Sequence, residues 1–111
     1  MAVTIRLMSD FGFYPFYVND GNKLYELVDP EDFQPMFRLP DHVMKALLDW
    51  DQIYQRLIDW DDPASVAWAN RQDELQYIEE GRIAARLLRE HIPPDVRIEY
   101  TGADNIAAEY Y

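Results

Sequence analysis

The tripeptide Asp-Trp-Asp occurs twice in this sequence, as Asp49-Trp50-Asp51 and Asp59-Trp60-Asp61, with Asp62 extending the second copy. Clustered carboxylates have two main uses: holding a hard cation, or pairing with Lys and Arg of a partner. In a helix, residues two apart point in different directions, so each tripeptide brackets a Trp with two flanking carboxylates and forms no chelate by itself. Asp59, Asp61 and Asp62 fall where a helix is expected to end. The macrodipole is negative there, so a cation or a basic partner would be welcome. A metal-assisted hydrolase using these carboxylates is one reading, and a solvated acidic rim around a buried Trp is the plain one.

Other chemistries lose their usual residues one class at a time. No cysteine is present, which removes disulfides, thiolate nucleophiles and thiolate metal sites. His42 and His91 are the two histidines, far apart in sequence, and neither has the spacing of a metal pair on one helix. Ser9 and Ser65 stand in no nucleophile elbow. The glycines at 12, 21, 81 and 102 are scattered singly, so no phosphate-cradling loop exists. The expectation is a protein that is not an enzyme and has no cofactor.

Acidic residues interleaved with aromatics are more prominent: Tyr14, Phe16, Tyr17, Tyr25, Phe33, Phe37, the two Asp-Trp-Asp copies, and the terminal Glu109-Tyr110-Tyr111. Tyr and Trp dominate binding hot spots, and surrounding carboxylates would pair with a basic partner. Trp50 and Tyr54 are expected in the core. Trp60, Trp68, Tyr110 and Tyr111 are the candidates for exposure.

Charge sharpens the choice of partner. Against 10 Lys and Arg stand 21 Asp and Glu, a formal charge of −11. Such a surface repels phosphate backbones and anionic lipids, so nucleic acid and membrane are poor partners, whereas a basic protein would be steered toward it. Solubility alone is the competing explanation for the acidity. The amino terminus lacks a basic region followed by an apolar run, and nowhere do about 18 apolar residues run consecutively. A cytoplasmic location is expected.

These residues need a frame to position them. With 111 residues, 49% of them hydrophobic, the chain suffices for one core. We expect a single α+β domain over 1–102 and a tail over 103–111. Val3 to Met8 alternates as a strand with Val3, Ile5 and Leu7 inward, and Phe13 to Val18 forms a second strand, with Pro15 marking an edge or bulge. Lys23 to Val28 makes a third across the Asp20-Gly21 turn. Pro30, Pro35 and Pro40 predict a loop from Asp29 to Leu39 carrying Phe33, Met36 and Phe37.

A helix starting near Pro40-Asp41 follows, with Val43, Ala46, Leu47, Trp50, Ile53, Tyr54, Leu57 and Trp60 as its buried stripe, ending at Asp61-Asp62-Pro63. Asn70 caps a second helix to about His91, with Leu75, Ile78, Gly81, Ala84, Ala85, Leu88 and Ile92 inward and Arg82, Arg86 and Arg89 toward its negative end. Gly81 would let another backbone pack closely. Val96 to Tyr100 alternates as a final strand beside the first. The sum is a three- to four-stranded antiparallel or mixed sheet with two long helices on one face.

Ile5-Arg6-Leu7-Met8-Ser9-Asp10-Phe11-Gly12, the set Leu47, Trp50, Tyr54 and Leu57 followed by Trp60-Asp61-Asp62-Pro63, Glu80-Gly81-Arg82, and Val96 to Tyr100 resemble a family of small acidic bacterial proteins of the actinobacterial type. That resemblance covers most of the chain before Thr101 and implies a shared fold, without catalytic residues. In character the chain is also similar to the immunity proteins that neutralise toxins of interbacterial competition, many of them basic nucleases. The expectation is therefore an immunity or antitoxin-like protein that binds a basic toxin through Asp49, Asp51, Asp59, Trp60, Asp61, Asp62, Tyr110 and Tyr111. A non-catalytic adaptor or a homodimer is the alternative.

Overall fold

The computed structural model describes residues 3–21, 24–57, 68, 70–101 and 108–111. The chain order is β1 (Thr4–Met8), β2 (Phe16–Asn19), β3 (Glu26–Leu27), α1 (Pro30–Phe37), α2 (Asp41–Gln55), α3 (Arg71–Glu90), β4 (Arg97–Thr101) and β5 (Glu109–Tyr110). The fold is α+β, with one five-stranded sheet in the order β3-β2-β1-β4-β5. β1 is central, antiparallel to β2 and parallel to β4, so the sheet is mixed. The strand after the helices does lie beside the first one. The sheet is one strand larger than expected because Glu109 and Tyr110 pair with Tyr100 and Glu99.

Alternation along each strand decides what the two faces carry. Ile5, Leu7, Phe16, Ile98 and Tyr100 are all buried and face the helices. Phe33 of α1 stacks on Phe16 at 4.3 Å, Trp50 of α2 meets Tyr100 edge-on at 5.5 Å, and the Tyr100 hydroxyl donates to the Ile78 carbonyl of α3 at 3.0 Å. All three helices therefore pack on one face. Across the other face, register aligns Leu27, Tyr17, Arg6, Glu99 and Tyr110 in a row.

The expected loop at Asp29 to Leu39 is in fact α1. Pro30 sits in the first turn, where a missing N–H is no loss, and Glu31 and Asp32 complement the dipole. Pro35 removes only one backbone bond from so short a helix. Arg38, at φ 53°, closes it in the left-handed conformation. Phe33 is buried, Phe37 packs on the core and Met36 is exposed.

α2 begins where expected and stops at Gln55, earlier than Asp61-Asp62-Pro63. The Leu57 N–H donates to Tyr54 O at 3.0 Å, tightening the last turn. Asn70 caps α3 as expected, its side chain accepting from the Asp73 N–H at 2.9 Å. Ile78, Gly81, Ala84, Ala85 and Leu88 face inward, joined by Tyr77, whereas Leu75 is exposed. Gly81 is needed for side chains and not for a backbone: a methyl there would overlap Tyr100 and come within 2.6 Å of Trp50 Nε1.

Candidate partner-binding surface

α2 and α3 run antiparallel, with His42 against His91 at one end and Tyr54 against Tyr77 toward the other. The two histidines that stand far apart in sequence thus have ring centroids 5.4 Å apart. At the far end of α2 the structure places the turn between β1 and β2. Asp10 and Phe13 form a bridge, Phe13 N–H donates to Asp10 O at 3.2 Å, and Gly12 takes φ 81° to close the turn. The Gln55 side chain clamps this turn to the helix. Its Nε2 donates to Asp10 O at 2.8 Å and Phe13 O at 3.3 Å, while its Oε1 accepts from Gly12 N–H at 3.1 Å. Phe11 stacks on Tyr54 at 4.4 Å.

Beneath that clamp lies Asp51, 3% exposed, so its carboxylate is inside the protein and not on a rim. Burial pushes the carboxyl up from its ordinary range, and the adjacent Ser9 and Gln55 side chains offset part of this. Ser9 Oγ, itself buried, faces Asp51 and Tyr77 without closing a well-formed hydrogen bond. Burial, then the carboxylates of Asp10 and Asp51, push the Tyr17 phenol up.

The other nominated residues separate. Asp49 is exposed on α2 and held by Lys45 one turn earlier, at 2.5 Å. Asp59, Trp60, Asp61 and Asp62 lie outside the described residues. Tyr110 is 62% exposed and its ring stands 5.6 Å from the Arg97 guanidinium. Tyr111, expected at the surface, packs on the core instead: its N–H donates to Ile98 O at 3.0 Å and its hydroxyl to Glu109 at 2.9 Å. Strand parity separates the two tyrosines, because Tyr110 is opposite outward-facing Glu99 and Tyr111 falls opposite inward-facing Ile98. Trp68, also expected at the surface, is half-buried against Tyr77 at 5.2 Å. No described contact joins Asp49 to Tyr110 or Tyr111.

On the uncovered sheet face, Arg6 Nε donates to Glu99 at 2.7 Å and the guanidinium lies 3.8 Å from the Tyr25 ring centroid. Arg82 of α3 takes Glu109 in a two-pronged grip, 2.7 Å at its shortest, holding β5 to the helix layer. Exposed rings occur at Phe13 and Tyr14, 52% and 47% accessible, beside the Gln55 clamp. Among the described residues no three His, Asp or Glu gather closely enough to hold a metal ion. No helix among them is long and apolar enough to cross a membrane.

The sequence pattern of the family described as Serratia CdiI immunity protein-like matches residues 3–103. The chain belongs to this immunity-protein-like family. No curated protein matches it. The family match runs from β1 through β4, so it takes in the Gln55 clamp, buried Asp51 and the Gly81–Tyr100 contact alike. Within this immunity-protein-like chain, sequence reasoning missed the exposed pair Phe13 and Tyr14. They lie in a segment that reads as strand, and only the residues on either side, Ser9-Asp10-Phe11-Gly12 and Pro15, signal that the chain turns there.

Proposed function

We propose that this protein neutralises a cognate toxin by binding it directly, with no covalent step of its own. The family match over residues 3–103 carries this reading. Supporting it, the exposed surface combines carboxylates with rings, and the formal charge of −11 favours a toxin with a basic face, such as a nuclease. The proposed contacts are the exposed Asp49 and Tyr110 together with Asp59, Trp60, Asp61 and Asp62, while Asp51 is buried behind the Gln55 clamp and Tyr111 ties the end of β5 to β4 from inside.

The test is co-production with the toxin domain encoded beside it. Growth should be restored, a stable complex should elute in gel filtration, and the association rate should fall steeply as salt rises from about 50 to 500 mM. Persistent growth arrest with no complex would overturn the function. An association rate indifferent to salt would remove the basic face and leave neutralisation standing.

A further inference from the structure

We propose that the tip of the β1–β2 hairpin is a preformed aromatic prong, with Phe13 and Tyr14 inserting into an apolar pocket of the toxin rimmed by Lys or Arg, and Gln55 acting as the positioning residue. This rests on the toxin-binding reading above.

Three observations lead to it. First, a two-ring tip is costly to leave in water unless it is used, since hairpin turns ordinarily carry Gly, Asn, Asp and Ser. Phe13 and Tyr14 are adjacent and both about half-exposed. Among the described residues the other exposed large apolar groups are Leu24, Leu27, Met36, Leu75 and Ile83, none of them aromatic, and Tyr110, a single ring on β5.

Second, the tip is held from behind. Three hydrogen bonds from one side chain, Gln55, reach the backbone of Asp10, Gly12 and Phe13, and Phe11 is stacked on Tyr54. Met8 N–H also donates to Pro15 O at 3.2 Å across the base of the hairpin. Rings held this way lose little conformational freedom on binding, so more of their contact energy appears as affinity.

Third, the charge around the tip points to the rim of the pocket. Asp10 is exposed and in no ion pair with a described Lys or Arg. The carbonyl end of α2 adds partial negative charge, its last turn carrying no basic residue and Arg56 standing at the C-cap.

The experiment measures association and dissociation of the full chain with the toxin domain by surface plasmon resonance. The variants are Phe13→Ala, Tyr14→Ala, the two ring changes together, Gln55→Ala, the triple combination, and Leu24→Ala at the opposite end of β2. Phe13→Ala and Tyr14→Ala should each raise Kd at least tenfold, chiefly through faster dissociation, with Leu24→Ala within twofold of wild type. Gln55→Ala should weaken binding in the wild-type background and add little once both rings are gone, whereas a merely structural Gln55 would add its full effect in either background. Circular dichroism checks that each variant is folded. Ring variants that bind like wild type would overturn the prong and leave toxin binding intact; a wild-type chain that fails to bind would overturn both.

Discussion

The Tyr100 hydroxyl occupies the volume that a side chain at residue 81 would need, and from there it donates to the carbonyl of Ile78 one turn earlier on the same helix. Gly81 therefore sets the distance between α3 and β4. In an open helix Gly81→Ala would gain about 1 kcal/mol in propensity. Here the methyl meets Tyr100 and Trp50, and overpacking of this kind costs about 1–3 kcal/mol. The expected outcome is a net loss of stability in urea denaturation, where propensity alone predicts a gain.

Asp51 gives a pH dependence of the less common sign. Its folded pKa lies above the ordinary value of 3.8, so the folded state binds the proton more tightly than the unfolded one. Stability contributed by this group is full below 3.8 and falls as pH rises through the folded pKa, at about 1.4 kcal/mol per unit of displacement. Asp51→Asn should therefore be at least as stable as wild type at pH 7 and lose that relative advantage near pH 3.5. Thermal melts of both proteins across that range check it. A wild type more stable than Asp51→Asn at neutral pH would contradict the assignment.

Glu109 has the opposite sign. The Arg82 guanidinium holds its carboxyl below the ordinary value of 4.5, so its contribution is present above that pH and is lost as pH falls through the folded pKa. The pair is partly exposed, and Glu109→Gln should cost about 1 kcal/mol or less in global stability. The local effect should be larger. Hydrogen exchange at the Tyr111 amide, bonded to Ile98 O, should quicken severalfold while the β1 amides are unchanged.

Much of the fold is legible in the residues, for reasons that are local. Val3, Ile5 and Leu7 alternate as a strand must, Asn70 stands where a cap is needed, and Asp20-Gly21 joins β2 to β3. Where reading fails, tertiary geometry has decided. Six residues at about 100° each set Leu75 roughly 120° round the helix from Gly81, outside the buried arc, while Tyr77 falls inside it. Nothing from Gln55 to Leu57 is Gly or Pro, so the apolar rhythm runs past the point where α2 stops. Pro35 suggests a break, yet it removes a single backbone bond and α1 tolerates the loss.

The surface was harder to read. The paired tripeptides draw attention to Asp49 and Asp51 equally, yet one is solvated beside Lys45 and the other is internal. Residues two apart on a helix face different environments, and composition carries no trace of which is which. Phe13 and Tyr14 are inconspicuous in a chain this rich in aromatics, and the clamp that presents them comes from a residue more than 40 positions away.

The parallel pairing of β1 with β4 has a consequence for how the protein is made. Thr4 aligns with Arg97 and Met8 with Thr101, so the central strand gains its second neighbour only after all three helices and residues 97–101 have been synthesised. Until then a nascent chain has a β1–β2–β3 meander whose β1 edge is naked. Contacts this distant in sequence slow folding and lengthen the interval in which such an edge can pair wrongly. A chain cut short of β4 would therefore leave the middle strand of the sheet with a single neighbour.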